Sequence, residues 1–397
     1  MDTIKKTDQF IINTYARVQK TFVSGKGCTL VDEDNNSYID FLAGIAVCSL
    51  GHCHPQITKA ILDQSAKLVH VSNLFYTKPQ AELASILVEK SFADKVFFAN
   101  SGAEANEAAI KLARRYFQVQ RKKDKFKIIT MEQSFHGRTM ATLSATGQEK
   151  IKQGFDPCLQ GFIHLPFNDI DTLKASIDPD VCAIMLEPVQ GEGGVISADP
   201  DYLVAVRKLC DDNDILLIFD EIQTGMGRCG RLFAYEEYGV VPDIMTLAKA
   251  LGNGLPIGAM LASRKAKKGF DFGSHGSTFG GTPLVASAAL EVVKIISNLD
   301  FLEKCRQKGE YFRLQLNNLK EKYSFVKDIR GMGLLIGLEI DDAKLDGTTI
   351  VEKCLEKGFI INAIQGKILR FAPPLIIGED EIDKLIACLD NIFSEEI

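Results

Sequence analysis

The segment 215–258 opens with ILLIFDEIQTG, closes with TLAKALGNGLPIG, and decides the fold of this chain. Its first five residues are apolar, and the run ends abruptly at Asp220 and Glu221. A short apolar run bounded by charge and glycine predicts a buried strand of a parallel sheet. Ligands of open α/β sheets bind outside the carboxyl ends of such strands. We therefore expect Asp220 to face a binding crevice, to which Lys249 can return.

A carboxylate and a lysine at such a crevice have two alternative uses. One is a structural ion pair, which buried acidic and basic side chains often form. The other is pyridoxal phosphate chemistry, in which a lysine holds the cofactor covalently and an aspartate keeps the pyridinium nitrogen protonated, so that the ring accepts electrons. The spacing of Asp220 and Lys249 alone leaves both alternatives open.

The motifs around these two residues add a family resemblance. DEIQTGMGRCG and PDIMTLAKALGNGLPIGA resemble the signature of class III aminotransferases, the ω-aminotransferases of pyridoxal phosphate fold type I. Five further motifs resemble the same family and keep its order along nearly the whole chain: SGAEANEA (101–108), FHGRT (135–139), EPVQGEGG (187–194), GSTFGG (276–281) and RFAPPL (370–375). Each motif is weakly specific by itself, whereas seven in register are specific.

The resemblance implies a fold and a domain organisation. The expected fold is α/β, with a large domain whose mostly parallel central sheet is flanked by helices, and a smaller α+β domain built from the N- and C-terminal segments. We expect residues 1–53 to join the small domain, residues 54–292 to form the large cofactor-binding domain, and residues 293–397 to form the rest of the small domain. A length of 397 residues also favours two domains. One long helix is predicted at about 283–322.

A strand at Lys95–Ala99 runs into a small polar turn and then a long helix, which presents free N–H groups to an anion. Taken alone, Ser101 is equally typical of an ordinary helix cap. The resemblance implies that this turn binds the cofactor phosphate, that Phe135 stacks on the pyridine ring, and that Lys249 and Asp220 are catalytic. The cofactor-binding residues it implies are Ser101, Gly102, Ala103, Phe135, Asp220, Glu221, Ile222, Gln223, Lys249 and Thr278.

A second set of residues is implied to bind substrate, namely Arg138, Glu192, Ser277 and Arg370. From the residues alone, Phe135 could instead pack on the core, and Glu192 could lie in a surface loop. In the family, the arginine matching Arg138 binds an α-carboxylate, for which its planar fork is suited. Glu192 is expected to act as a gate that pairs with Arg370 and then releases it for the acceptor.

The activity implied by the resemblance is transamination between an amino donor and 2-oxoglutarate, with pyridoxal 5′-phosphate as cofactor. The expected donor is N2-acetyl-L-ornithine. Succinylornithine, 4-aminobutyrate, ornithine and N-succinyl-diaminopimelate remain alternatives. Free ornithine is disfavoured because Ile45 occupies the place where ornithine-specific members carry a tyrosine. Ser277 and Thr278 are expected to serve the partner subunit's site, which makes a homodimer the expected functional unit.

A competing hypothesis, a nicotinamide-dependent oxidoreductase, rests on GMGRCG at 225–230, which satisfies G-x-G-x-x-G. A dinucleotide fingerprint needs these glycines directly after the strand and at the start of a helix. Here DEIQT intervenes, and no helical start is predicted in RLFAYEEYG at 231–239. The context therefore disfavours NAD.

A second competing hypothesis, a metal site, rests on His52-Cys53-His54. Three adjacent ligands do not face one ion without unusual backbone geometry, and no C-x-x-C or H-x-x-x-H partner lies nearby. We expect instead a turn followed by a helix that begins at Pro55. No metal is predicted.

The composition excludes other classes of function. The net charge of −6 is mild, and the short basic clusters at 121–123 and 264–268 are typical of solvated surface, so nucleic acid is not indicated. The N-terminus resembles no signal peptide, and the longest uncharged apolar run, 41–50, is half a membrane span. Ten cysteines without framework spacing indicate free thiols in a reducing cytoplasm.

Overall fold

The computed structural model describes residues 2–121, 124–341 and 345–395, so two lysines of the basic cluster at 121–123 lie outside the described residues. Its strands are β1 (Phe22–Lys26), β2 (Thr29–Asp32), β3 (Ser37–Asp40), β4 (Lys95–Ala99), β5 (Lys127–Met131), β6 (Phe162–Leu165), β7 (Val181–Leu186), β8 (Val189–Gln190), β9 (Ile196–Ser197), β10 (Leu216–Asp220), β11 (Ile244–Leu247), β12 (Gly258–Ala262), β13 (Val326–Met332), β14 (Leu335–Ile340), β15 (Phe359–Ile360), β16 (Asn362–Ile364) and β17 (Ile368–Phe371).

Its α-helices are α1 (Thr3–Phe10), α2 (Ala43–Ala46), α3 (Pro55–Ser65), α4 (Lys78–Glu89), α5 (Gly102–Arg115), α6 (Met140–Ala145), α7 (Glu149–Lys152), α8 (Ile170–Ala175), α9 (Pro200–Asn213), α10 (Tyr235–Tyr238), α11 (Pro283–Ile296), α12 (Leu299–Lys322), α13 (Gly347–Glu356) and α14 (Glu379–Ser394). No helix of the described ranges is long and apolar enough to cross a membrane.

The centre of the molecule is a seven-stranded sheet with the order β4-β12-β11-β10-β7-β5-β6. All neighbouring pairs are parallel except those of β12, which runs antiparallel to both β11 and β4. Every residue of β7 and β10 is buried, as expected for the apolar runs 181–186 and 216–219 in a sheet covered on both faces. With helix α5 packed on β4, β11 and β12, the predicted α/β fold with a mostly parallel central sheet is confirmed.

The terminal segments form two further four-stranded sheets. One has the order β1-β2-β3-β15, so the N-terminal strands pair with a short strand from near the C-terminus. The other has the order β13-β14-β17-β16 and is antiparallel throughout. The predicted division at 53/54 and 292/293 stays a prediction, and its second boundary falls inside α11.

The single helix predicted at 283–322 is wrong. Two helices, α11 and α12, occupy this range. Asn298 separates them with extended backbone angles, φ −69° and ψ 126°, and its side chain accepts a hydrogen bond from the Phe301 N–H. An asparagine in this conformation caps a new helix rather than continuing the old one.

Candidate active site

The carboxyl ends of β4, β5, β7, β10 and β11 meet at one edge of the central sheet, where they surround a cavity of about 450 Å³. Most of the predicted site residues line it. The lining includes Ser101, Gly102, Ala103, Phe135, His136, Arg138, Glu187, Glu192, Asp220, Ile222, Gln223 and Lys249, together with Val47 and residues 254–257. Residues far apart in sequence thus converge where a parallel sheet places its ligands.

Asp220, the last residue of β10, lies buried in the cavity wall with its carboxylate held on several sides. One oxygen, Oδ2, is 2.8 Å from the Asn106 amide nitrogen and 2.8 Å from His136 Nδ1. The other, Oδ1, accepts from the Ile222 N–H at 3.1 Å. Thr246 donates to the Asn106 carbonyl oxygen at 2.7 Å, which fixes the orientation of that amide. A carboxylate with this many donors is preorganised to stabilise a positive charge in the cavity.

Asn106, His136 and Thr246 support the site although they were not predicted from the sequence. Asn106 and His136 occur in the motifs SGAEANEA and FHGRT, and Thr246 precedes Lys249 by three residues. Thr246 also begins TLAKALGNGLPIG, so the motifs were the available signal for all three residues. Their shared contact with Asp220 depends on the tertiary fold.

Lys249 begins a short 3₁₀ turn directly after β11, in a left-handed backbone conformation with φ 41°. Burial lowers the pKa of its amine to about 8, although the nearby Glu192 carboxylate opposes the shift. Left-handed φ angles at non-glycine residues are strained and cluster at functional sites. An amine whose pKa is lowered in this way is partly neutral near pH 7 and can act as a nucleophile or base.

The N-terminus of helix α5 forms another wall of the cavity. Ser101 caps the helix, and its side chain accepts from the Glu104 N–H at 3.2 Å. Gly102 packs so closely on Ile222 that a Cβ would lie 2.7 Å from the Ile222 side chain. The unpaired N–H groups of this first turn and the positive end of the helix dipole favour an anion at this wall.

Phe135 and Arg138 also line the cavity, and Glu187 holds this segment in place. The Glu187 carboxyl accepts from the Phe135 N–H at 3.0 Å and from the Gly191 N–H at 3.4 Å. Burial, and the nearby Asp220 charge, raise the pKa of Glu187 well above its usual value. The exposed Arg138 guanidinium lies 5.7 Å from the centre of the Phe135 ring.

Glu192 closes the cavity by pairing with Arg370 from β17. Arg370 is 1% exposed, and its Nη1 donates to the Glu192 carboxylate and to the Gly191 carbonyl, the latter at 3.2 Å. Burial by itself would raise the pKa of Glu192, but the Arg370 charge outweighs it and holds the pKa below its usual value. Gln223 approaches the same carboxylate at 3.4 Å. Arg370 therefore reaches the cavity only behind Glu192.

Three predicted residues lie outside the cavity lining in addition to Arg370. Glu221 points into the protein, where its carboxyl accepts from the Ala234 and Tyr235 N–H groups, and burial raises its pKa to about 8. Its position differs from that predicted for a cofactor contact, because successive side chains of an extended segment alternate sides. Ser277 and Thr278 lie in a separate loop, where the Ser277 hydroxyl accepts from the Asn100 amide at 3.2 Å.

The cavity fits pyridoxal phosphate in its donor set. It combines a buried amine, a fixed carboxylate, an aromatic side chain and a helix N-terminus that binds anions. Two buried polar atoms at its edge, Nε2 of His136 and Oε1 of Gln223, have no hydrogen-bond partner among the residues that the structure describes. Buried polar atoms are normally hydrogen-bonded, so a polar ligand or water is expected to pair with these two.

The two competing motifs have other uses in this structure. His52 pairs with Asp40 at 2.8 Å, helix α3 begins at Pro55 as predicted, and no group of three acidic, histidine or cysteine side chains within the described ranges is arranged to hold a metal. The GMGRCG loop leads to α10, a single helical turn that was not predicted, and its glycines do not open that helix.

Comparison with known proteins gives consistent results. The model of the class-III aminotransferase family matches residues 13–393. The chain is 52% identical to acetylornithine aminotransferases of Caldanaerobacter subterraneus and Methanocaldococcus jannaschii, over 98% of this chain and 98% and 96% of theirs. Among solved structures it resembles N-acetylornithine aminotransferase from Stenotrophomonas maltophilia, with TM-score 0.85, 36% identity and coverage of 99% and 100%. Ornithine aminotransferase from Toxoplasma gondii, crystallised with partial occupancy of PLP at its active site, gives TM-score 0.95 at 34% identity, over 99% of this chain and 94% of that one.

Proposed function

The chain belongs to the class-III aminotransferase family, and on that premise we propose that it transfers the terminal amine of N2-acetyl-L-ornithine to 2-oxoglutarate. The products are N-acetyl-L-glutamate 5-semialdehyde and L-glutamate, a step of arginine biosynthesis. The protein is an aminotransferase and its cofactor is pyridoxal 5′-phosphate. The observation that carries the proposal is the convergence of Lys249 and Asp220 on one cavity. The names of the 52% identical relatives support this donor.

When bound, pyridoxal phosphate supplies an aldehyde for an amine and a ring that accepts electrons. Lys249 is the residue that would hold it covalently. When it does not hold the cofactor, the Lys249 amine would act as a general base on the carbon of the substrate that carries the transferred nitrogen. Its lowered pKa of about 8 supports this role, because a base with a pKa near the working pH is the most effective.

The other cavity residues orient the cofactor. Asp220, fixed by Asn106 and His136, would sit at the ring nitrogen and keep it protonated. Phe135 and Ile222 would supply apolar surface against the ring, and Gln223 would donate to the ring hydroxyl oxygen. The remaining contacts, to the phosphate, would come from Ser101, Gly102 and Ala103 at the start of α5, and from Thr278 of a second copy of the chain.

Glu192 and Arg370 allow one site to accept two kinds of substrate. With the pair closed, Arg370 is neutralised, and the acetylated amino acid binds through its single carboxylate at Arg138. With Glu192 swung away, Arg370 binds a carboxylate of 2-oxoglutarate bidentately. The Glu192 carboxylate carries its charge at neutral pH and its side chain is 29% exposed. It can therefore move away from Arg370 into water without being protonated.

We propose a homodimer in which Ser277 and Thr278 serve the partner's site. Two segments near these residues expose large apolar side chains, including Leu74 (85%), Tyr76 (104%) and Phe272 (108%). The segments are joined by the Asn73 amide, which donates to the Ser277 and Gly280 carbonyls. Exposed apolar surface of this kind marks interfaces between proteins.

We propose that the enzyme works in the cytoplasm. All ten cysteines are free in this structure, which is typical of proteins that fold in a reducing compartment. Arginine biosynthesis from small, soluble metabolites fits the same compartment.

A donor panel tests the proposed reaction. Holoenzyme is incubated with 2-oxoglutarate and, at equal concentration, acetylornithine, succinylornithine, ornithine, 4-aminobutyrate or N-succinyl-diaminopimelate, and glutamate formation is followed. We expect the highest kcat/KM with acetylornithine. A higher kcat/KM with another donor would make that donor, and not acetylornithine, the substrate. If no donor gave glutamate, the proposed reaction itself would be contradicted.

A further inference from the structure

Arg228, in the middle of the GMGRCG loop, is a buried cation whose hydrogen-bond partners among the described residues are neutral. Its side chain is 0% exposed, and none of the ion pairs among the described residues includes it. Nη1 donates to the Leu334 carbonyl at 3.1 Å and to the Pro373 carbonyl at 2.6 Å, and Nη2 donates to the Ser49 hydroxyl at 3.2 Å. Burial lowers its pKa to about 10, so the guanidinium is still charged at neutral pH. Burying a charge in this way is costly, which calls for a specific role.

The two carbonyls that Arg228 bridges directly flank the strands that carry and support Arg370. Leu334 immediately precedes β14, and Pro373 lies two residues beyond the end of β17. β14 and β17 are antiparallel neighbours, with Gly337 opposite Arg370. The start of β14 and the end of β17 therefore lie at the same end of the pair. One guanidinium nitrogen joins both strands at that end.

The loop itself is shaped to deliver Arg228 to this place. Gly227 and Gly230 have φ angles of +85° and +90°, which only glycine adopts readily. The backbone contact is equally close, because the Leu334 N–H donates to the Arg228 carbonyl at 3.0 Å. The chain enters this loop from the end of β10, where Asp220 and Gln223 line the cavity. The glycine pattern that resembled a dinucleotide motif thus connects the cofactor wall to the Arg370 strands.

We propose that Arg228 is a positioning residue that sets the place of Arg370 at the cavity, and thereby the affinity of the site for its dicarboxylate acceptor. The proposal rests on the function assigned above to Arg370. Arg228 touches neither the cavity nor a substrate. It acts by holding the β14–β17 pair against the loop that carries Asp220, so that the Arg370 fork is aligned when Glu192 leaves.

The test compares Arg228→Lys and Arg228→Met holoenzymes with the wild type. Arg231→Met is the matched control, since Arg231 lies in the same loop but is exposed and pairs with Glu237. Binding of glutarate, an unreactive dicarboxylate, is measured by calorimetry, and the half-reaction with the amino donor is followed by the cofactor absorbance. We expect both Arg228 variants to bind glutarate about tenfold more weakly, as for a misaligned charge-assisted hydrogen bond, with the donor half-reaction and the control unchanged.

A double-mutant cycle separates positioning from general stability. In an Arg370→Lys background, Arg228→Lys is expected to add no further loss of glutarate affinity, because both act through one contact. Three results would each overturn the proposal. Both variants could bind glutarate as tightly as the wild type, or Arg228→Lys could weaken glutarate binding as much in the Arg370→Lys background as in the wild type. The third is that neither variant gives folded holoenzyme. Glutarate binding needs no turnover. If the wild type did not catalyse transamination, that result would contradict the proposed function and not the proposed role of Arg228.

Discussion

At the scale of single residues, the chemistry depends on two side chains whose charge is set by burial. Burial lowers the pKa of the Lys249 amine and raises the pKa of the Glu187 carboxyl, because in both cases the charged form is desolvated. Asp220 lies between them with three donors around it. The site therefore keeps one fixed anion and one reactive amine within a single cavity.

The lowered pKa of Lys249 predicts how the apoenzyme takes up its cofactor. Only the neutral amine attacks the aldehyde, so the rate of reconstitution is expected to rise with pH and to level off above about 8, the pKa of this amine. Stopped-flow absorbance of apoenzyme mixed with pyridoxal phosphate at several pH values measures this. A rate that keeps rising to pH 10, as for an ordinary lysine, would show that burial does not lower the pKa of Lys249.

The raised pKa of Glu187 predicts that glutamine replaces it well. The raised pKa favours the neutral carboxyl, which a glutamine amide matches in shape. The single acceptor oxygen of that amide keeps one of the two contacts with the Phe135 and Gly191 N–H groups, so cofactor affinity is expected to fall less than in Glu187→Ala. Glu187→Ala leaves two buried N–H groups unpaired, at about 1–3 kcal/mol each, and is expected to weaken cofactor binding at least tenfold. Fluorescence titration of the two apo variants with pyridoxal phosphate measures their cofactor affinity. Equal losses of affinity in the two variants would indicate an ionised Glu187.

The sequence was sufficient to locate residues whose role follows from their own segment. Asp220 is the polar end of a buried apolar run, and Lys249 follows the next strand, so both could be predicted to reach one edge of a sheet. The position of Glu221 could not, since a one-residue shift along an extended segment reverses the direction of a side chain. Asn106 and His136 contact Asp220 across more than 80 residues of chain, and no local pattern encodes that distance.

At the scale of secondary structure, the first turn of α5 has two separable functions, helix capping and anion binding. Ser101→Ala removes the cap and is expected to cost about 1 kcal/mol of unfolding free energy. It is also expected to weaken cofactor binding, because the same turn faces the cavity. Urea unfolding of the apoenzyme and cofactor titration measure the two effects.

Asn298→Ala is the matched control for that prediction. Asn298 caps α12 in the same manner, with its side chain accepting from the Phe301 N–H at 3.1 Å, but it lies outside the cavity lining. We expect a similar loss of stability with unchanged cofactor affinity. If both variants weaken cofactor binding equally, the effect of Ser101 is on stability alone and α5 has no special part in binding.

The elements that the sequence did not predict have identifiable physical causes. β12 reads GAMLA, in which glycine and alanine have low strand propensity and polar and apolar residues do not alternate. It forms because both β4 and β11 offer it hydrogen bonds. The break between α11 and α12 depends on the Asn298 cap, which competes with an otherwise continuous helical pattern.

At the scale of the whole molecule, the small domain depends on contacts between distant parts of the chain. β15 pairs in parallel with β3, with Phe359 opposite Ile39. The order of the family's motifs implied that the two ends of the chain come together, but the register of this pairing is decided by the tertiary fold. The predicted homodimer belongs to this scale as well.

Subunit complementation tests the shared site. Lys249→Ala and Thr278→Asp are each expected to abolish activity, the second because a carboxylate repels the cofactor phosphate. After the two proteins are unfolded and refolded together, mixed dimers are expected to restore about one quarter of the wild-type activity, since half of the dimers then contain one intact site. Refolding of each variant alone is the control. No recovery in the mixture, although dimers form, would show that Thr278 does not act across an interface.

Reduction of the yellow holoenzyme with borohydride tests the pairing of Lys249 with the cofactor most directly. Reduction makes the bond between a lysine nitrogen and the cofactor permanent, and peptide mass mapping then identifies the lysine. We predict one pyridoxyl group per chain, on Lys249, and none in the Lys249→Ala variant, which is expected to fold normally and to have no turnover. A label on another lysine, or an unlabelled wild-type chain, would contradict the assignment of this cavity as the active site.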